Sequence, residues 1–273
     1  MAKSMRERLR FDASGVGLAE IDPGSTPGAK SRRKAEARTA GWQATIRDLQ
    51  ERLFAERSRS VLVVLQGMDT SGKDGTVKHV FDSMNPQGLS VVAFKAPTEQ
   101  ELRHTFLWRI RKRLPEPGHV SIFNRSHYED VVVVKVHELV PLVTVERRYE
   151  AINQFERALV KTGTTLVKLF LHISLDEQRE RLLARLADDT KWWKFNPGDL
   201  EDRARWSEFQ GAYETALRRC SSDVAPWHVV PADRKWYRDF AITKILVETL
   251  EEMDPRYPKP VLDVPALRER LSG

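Results

Sequence analysis

The chain has 273 residues, 41% of them apolar, enough to bury the core of one large α/β domain or of two smaller ones. Its 45 Lys and Arg against 39 Asp and Glu leave a net charge of +6, a modest excess that suits an anionic partner without naming it. The single cysteine, Cys220, excludes an intrachain disulfide and a Cys-based zinc cage, and the seven histidines form no His-Glu-x-x-His pair.

The basic start, with Lys3, Arg6, Arg8 and Arg10, lacks the apolar segment of a secretion signal. No apolar run approaches the roughly 20 residues that span a bilayer, so a cytoplasmic protein is expected. Residues 1–40 are rich in Gly, Pro, Ser and basic side chains and read as an extended arm. Its cluster of Lys30, Arg32, Arg33, Lys34 and Arg38 suits a polyanion or a solvated helix start equally well. From 41 to 57, Trp42, Ile46, Leu49, Leu53 and Phe54 recur at helical spacing.

Residues 61–65 are five apolar β-formers that run into Gly67-Met68-Asp69-Thr70-Ser71-Gly72-Lys73-Asp74-Gly75, with a helix expected to follow. The spacing Gly67-x4-Gly72-Lys73 is that of a phosphate-binding loop, in which backbone N–H groups and a helix N-terminus surround phosphate oxygens. Asp74 stands where Ser or Thr usually ligates magnesium, and Asp69 adds a second carboxylate. Carboxylates beside a phosphate cradle repel their ligand unless a divalent cation sits between them. The motif therefore points to a metal-bridged phosphate site rather than an ordinary ATP-binding loop.

Strand and helix signals then alternate. A strand is predicted over 89–94, and a helix over 98–114 opened by the capping box of Thr98 and Glu101. Further strands are predicted over 119–124, 164–173 and 226–231, and further helices over 146–160, 176–186, 199–219 and 236–251. The tail from Asp254 carries Pro255, Pro258, Pro260 and Pro265 and is expected to pack loosely. Strands separated by helices imply a parallel sheet covered on both faces.

Ligands of such sheets collect outside the carboxyl ends of the strands. The strand over 119–124 ends in Asn124-Arg125-Ser126-His127-Tyr128-Glu129-Asp130, and that end should lie beside the phosphate loop. Asn124 and Glu129 offer oxygen ligands for magnesium, and Arg125 a planar fork for phosphate; His127 and Tyr128 read as structural. Arg181 and Arg185, four apart on one helix, precede Lys191, Lys194, Arg203 and Arg205 in a segment over 177–206. Arginines on a mobile helical hairpin suit closure over a transferring phosphoryl group, although a charged outer face explains them equally well.

Together, Gly67 to Gly75, Phe123-Asn124-Arg125-Ser126-His127-Tyr128-Glu129, Pro97-Thr98-Glu99-Gln100-Glu101-Leu102 and the segment from Trp193-Lys194-Phe195 to Asp199-Leu200-Glu201-Asp202-Arg203 resemble the polyphosphate kinase type 2 family, over roughly residues 40–252. The resemblance implies a three-layer α/β/α P-loop kinase fold with a central parallel sheet and a helical lid. The chain would divide into an arm (1–40), a kinase domain (41–252, lid 177–206) and a tail (253–273).

It implies reversible, magnesium-dependent phosphate transfer between inorganic polyphosphate and AMP or ADP, with manganese as a substitute metal and guanine nucleotides as further acceptors. Asp69, Asn124 and Glu129 would hold the metal, Lys73 and Arg125 would neutralise the transferring group, and Arg181 and Arg185 would act from the lid. Gly67, Thr70, Ser71, Gly72, Asp74 and Gly75 would cradle phosphate, joined by Lys194 and Arg203; Thr98, Glu99 and Trp108 are candidates for the nucleotide. A homodimer or homotetramer is implied, with neither membrane nor nucleic acid as partner. Asn124, where many members carry Asp, looks like the subclass that accepts AMP as well as ADP. The rivals are an ATP-dependent kinase of a nucleotide or small molecule, and a non-catalytic polyphosphate-binding protein.

Overall fold

The computed structural model describes residues 3–259 and 261–272; Pro260 of the expected tail lies outside the described residues, as do Met1 and Ala2 of the expected arm and Gly273. Among the described residues, β1 (Ser60–Gln66), β2 (Leu89–Ala93), β3 (Val120–Asn124), β4 (Thr164–His172) and β5 (Trp227–Pro231) form one parallel sheet in the order β2-β3-β1-β4-β5. The central strand β1 is buried along its whole length, as expected of a parallel strand covered on both faces. Arg10 adds an antiparallel bridge to His228 at the β5 edge.

The helices are α1 (Met5–Leu9), α2 (Arg32–Glu56), α3 (Lys73–Val80), α4 (Glu99–Leu102), α5 (Trp108–Arg111), α6 (Val133–Val136), α7 (Leu142–Lys161), α8 (Leu175–Leu186), α9 (Gly198–Ala204), α10 (Trp206–Cys220), α11 (Lys235–Met253) and α12 (Val264–Ser272). Parallel crossovers are right-handed. The connection from β1 to β2, carrying α3, crosses the sheet in one direction, and the three later connections run in the other. That reversal puts α3 on one face and α7 and α10 on the opposite face. Helix α11 packs on α2 and α3 and so completes the α3 face. The loops leaving β1 and β3 diverge at this switch point and open a crevice between them.

The sequence expectations need four corrections. The arm is not extended: α1 is closed by a Ser4–Glu7 capping box and packs on α11, and Met5, Leu9, Phe11 and Leu18 are buried. Apolar side chains spaced among its arginines supply that anchorage. Helix α2 begins at Arg32, because Ser31 caps it and Gly41 costs too little to break it. The helix expected over 98–114 divides into α4 and α5, and the break lets Leu107, Arg109 and Ile110 turn inward. The tail packs loosely as expected, and its helix α12 buries none of its residues. The helix expected over 199–219 is likewise two helices, α9 and α10, meeting at Arg205.

Candidate active site

The phosphate loop leaves β1 through two positions closed to side chains. Gly67 has φ +149°, and a Cβ there would lie 2.6 Å from the Leu171 carbonyl. Gly72 has φ +102°, and a Cβ there would collide with the guanidinium of Arg238. Thr70 adopts φ +65°, a left-handed conformation costly for a β-branched residue. The loop then enters α3 with Lys73 and Asp74 in the first turn.

Lys73 is buried, and its Nζ donates to the carbonyls of Gly67 at 2.7 Å and Met68 at 3.1 Å. Burial lowers its pKa, opposed by the charge of Asp69. Around it the hydroxyls of Thr70, Ser71 and Thr76 and the Oε1 of Gln66 are buried without a partner. Unpaired buried donors and acceptors are costly and rare, so their concentration at one loop marks a place for a polar ligand.

The end of β3 meets this loop as expected. Leu65 pairs with Asn124 in register, and the N–H of Arg125 donates to the Leu65 carbonyl. Arg125, with φ +63°, turns its guanidinium to Asp69, Nη2 to Oδ1 at 2.6 Å. Burial opposes ionisation of Asp69, but Lys73 and Arg125 outweigh it and hold the carboxyl below its ordinary range. Glu129 accepts a 3.1 Å bond from Gln66 Nε2, and its burial pushes its pKa up against the pull of Arg125. Asn124 gives its amide to Asp74 Oδ1 at 2.7 Å.

Asp69, Asn124 and Glu129 therefore surround the crevice, yet each has a different hydrogen-bond partner. Among the described residues no three His, Cys, Asp or Glu side chains converge as a ready-made cage. The donor set nevertheless fits a hard divalent cation completed by phosphate oxygens: two carboxylates, an amide oxygen and the orphaned Gln66 Oε1.

The 3₁₀ turn His127–Asp130 is held from below by a buried polar network, which agrees with the structural reading of His127 and Tyr128. Lys168, buried in β4, donates to Glu156 Oε2 at 2.5 Å, to Tyr128 Oη at 3.0 Å and to the Cys220 carbonyl at 2.6 Å. Tyr128 donates in turn to Glu156 Oε1 at 2.7 Å, and His127 Nε2 lies 3.2 Å from the same oxygen. Burial disfavours the Glu156 carboxylate, but Lys168 prevails and lowers its pKa.

The lid arginines behave differently from one another. Arg185 reaches Asp199 Oδ2 at 3.4 Å, and its charge helps to lower the Asp69 pKa. Arg181, expected to face the transferring group, is buried under the loop. It donates to the Thr70 carbonyl at 2.8 Å, the Ala232 carbonyl at 2.6 Å, the Asp233 carbonyl at 3.0 Å and Glu177 at 2.7 Å. It joins the loop to the end of β5, and its donors are spent on three backbone carbonyls and the Glu177 carboxylate.

Arg203 also departs from expectation, tying α9 to α8 through the Leu175 carbonyl at 2.7 Å and Gln178 Oε1 at 3.0 Å. Lys194 is exposed, with its ammonium 4.9 Å from the centre of the Trp193 ring.

A cavity of about 310 Å³ opens from the loop across the face of α6 and α10. Gly67, Asp69, Arg125 and Glu129 line its inner end, and Phe94, Val133, Val134, Leu139, Val140 and Phe209 give apolar walls. Arg109 and Arg148 flank Asp130 in the same cavity, at 3.4 Å and 3.6 Å. Thr98, Glu99 and Trp108 lie outside its walls: Thr98 is spent on its capping box, and Trp108 stacks on His104. The other cavity residues, among them Phe94, Arg109, Val133, Arg148 and Phe209, and Arg238 beneath Gly72, were missed because their sequence neighbourhoods read as ordinary core or helix. Only Asp130, adjoining the Asn124 motif, carried a signal.

The polyphosphate kinase 2 family model matches residues 29–258. A Meiothermus ruber protein named AMP/ADP-polyphosphate phosphotransferase is 50% identical over 244 residues, covering 89% of this chain and 91% of its own. A Rhodopseudomonas palustris ADP-polyphosphate phosphotransferase is 42% identical over 236 residues, covering 82% and 81%. The crystal structure of polyphosphate kinase 2 from Arthrobacter aurescens superposes with a TM-score of 0.96 at 46% identity, covering 99% of this chain and 97% of that one.

Proposed function

The chain belongs to the polyphosphate kinase 2 family, and on that premise we propose that it moves a terminal phosphate between inorganic polyphosphate and AMP or ADP, reversibly, at the crevice between β1 and β3. The observation that carries this reading is the loop itself, where unpaired hydroxyls and a lysine lie buried in the same turn as Gly67 and Asp69, which line a cavity large enough for a second substrate.

The acceptor's phosphate oxygen is already ionised near neutral pH, so the protein's task is alignment and charge stabilisation rather than proton removal. The loop N–H groups and Ser71 hold the end of the donor chain. Lys73 exchanges its carbonyl partners for phosphate oxygens, and Arg125 leaves Asp69 to meet the transferring group. Arg185 adds charge from the lid, Lys194 supports it at the rim, and Arg181 and Arg203 act by holding loop and lid in place. Asp69, Glu129 and the Asn124 oxygen would hold Mg²⁺, with Mn²⁺ as a substitute; when bound it would supply positive charge that offsets that of the phosphate oxygens.

The apolar walls of the cavity receive the acceptor nucleoside, with Arg109 and Arg148 beside it. Such walls carry few groups that read base edges, which supports guanine nucleotides as further acceptors. Residues 1–40 then form an anchored extension of the kinase domain, and 253–273 a peripheral tail. A homodimer or homotetramer would cover exposed Leu142 and Val143. Among the described residues no helix is long and apolar enough to cross a membrane, which is in keeping with a cytoplasmic enzyme.

The test mixes protein, magnesium, AMP or ADP and long-chain polyphosphate, and follows ATP. A parallel reaction supplies ATP and candidate small-molecule acceptors without polymer. Polymer-dependent ATP formation that disappears in Lys73→Met, with the fold retained by circular dichroism, is the expected result. Turnover only with ATP as donor, or near-normal turnover in Lys73→Met, refutes the assignment.

A further inference from the structure

Helix α2 is longer than the sheet it packs against. Its 25 residues extend ~37 Å, whereas the seven residues of β1 extend ~23 Å. The C-terminal end of α2 is fixed at the amino edge of the sheet, where the Phe54 carbonyl and Arg57 pack against Gly118, just before β3. The excess length of roughly 14 Å therefore projects beyond the carboxyl edge, on the side of the phosphate loop.

Two contacts set the height. Gln43 donates to the His79 carbonyl near the end of α3, and Trp42 packs on Phe240, two residues below the Arg238 that touches Gly72. Arg38 consequently stands about level with Lys73, and Lys34 and Arg33 stand above it.

This overhang is basic. Lys30, Arg33, Lys34 and Arg38 are exposed, and among the described residues none of them forms an ion pair. The nearby carboxylates are engaged: Glu36 by Arg32, Asp239 by Arg238, and Asp233 by the N–H of Ser174. Four unpaired cations, three in the first turns of α2 and Lys30 just before its cap, repel one another and gain from an anion laid along them.

The direction of the transfer adds a second constraint. In-line displacement places acceptor and departing donor on opposite sides of the moving phosphoryl group. The acceptor cavity opens on the face of α6 and α10, so the rest of the donor chain leaves the loop toward the α2, α3 and α11 face, where the overhang stands.

We propose that Lys30, Arg33, Lys34 and Arg38 form a distal subsite for the remote phosphates of a long polyphosphate donor, beyond the phosphate loop. This rests on polyphosphate as the donor. The subsite makes donor affinity depend on chain length and salt, because phosphates far from the reacting end contribute binding without touching the chemistry.

The experiment compares the parent with an Arg33→Gln/Lys34→Gln/Arg38→Gln variant, using long-chain polyphosphate and triphosphate as alternative donors to ADP. For the long chain, KM is expected to rise on the order of tenfold and its log–log dependence on salt to flatten by about two units, the slope lost with three phosphate contacts on a flexible chain. With triphosphate, kcat and KM stay unchanged, as does KM for ADP with either donor. Arg157→Gln, a partly exposed arginine on α7, controls for net charge and leaves both donors unaffected.

An unchanged KM for long chains, or an equal rise for both donors, overturns the subsite. If the parent makes no ATP from either polymer, the functional reading fails instead, and the two failures are thereby told apart.

Discussion

Replacing Arg181 by Met separates a residue that holds the phosphate loop from one that reaches across to substrate. In the structure its guanidinium bonds the carbonyls of Thr70, Ala232 and Asp233, all within 3.0 Å, and the side chain is 8% exposed. Charged hydrogen bonds contribute about 1.5–3 kcal/mol each, and a buried carbonyl left unpaired costs about 1–3 kcal/mol. Two facts reduce the sum: burial lowers the pKa of Arg181, and the neighbouring charge of Arg238 repels it. A net loss of about 2–4 kcal/mol is expected, a large share of the roughly 5–15 kcal/mol that holds a domain folded.

Urea unfolding without any substrate measures that loss. The left-handed Thr70 is freed at the same time, so kcat should fall about 10- to 100-fold, or about 1.4–2.8 kcal/mol of transition-state stabilisation. Arg181→Lys should recover less than half of the stability, because one ammonium cannot bridge the loop and the end of β5 as a planar fork does. A Met variant as stable as the parent, altered only in its KM for polyphosphate, would refute this account and return Arg181 to the lid.

Two further variants probe the surroundings of the site. Lys168→Met strands the Glu156 carboxylate in the core and should cost about 3–5 kcal/mol in urea unfolding; a loss below about 1 kcal/mol would mean the buried pair does not hold the His127–Asp130 turn. Asp199, whose pKa is pushed up to about 6 by burial and then by the charge of Asp69, binds its proton more tightly folded than unfolded. Its contribution to stability is therefore present at low pH and is lost as pH rises from about 4 to about 6. Asp199→Asn should raise the urea midpoint at about pH 8 and match the parent below about pH 4; the reverse order would show that the Arg185–Asp199 pair, at 3.4 Å, dominates instead.

Local signals were sufficient where chemistry and backbone geometry coincide. Gly67 and Gly72 stand at positions that forbid a side chain, and Lys73 follows at the spacing that a strand–loop–helix turn requires. The Thr98–Glu101 capping box formed as its spacing implied, although the helix behind it broke. The arm was misread because its apolar residues, Met5, Leu9 and Phe11, are too few for a periodic signal and gain their burial from α11 and β5, distant in sequence. Arg181 and Arg203 were placed in the site by charge, helical spacing and family resemblance, none of which says whether a guanidinium meets a phosphate or a protein carbonyl.

What the linear chain determined by itself was the strand order of events: a phosphate loop, a polar strand end to face it, and alternating elements that admit only a parallel sheet. Periodicity and turn chemistry are local, so they survive without a partner. The packing decided which arginine is free and which is spent, how the apolar cavity closes beside Arg125, and that α2 overhangs the loop with its basic end. Those outcomes depend on distances between residues far apart in sequence, and such distances exist only once the layers have come together.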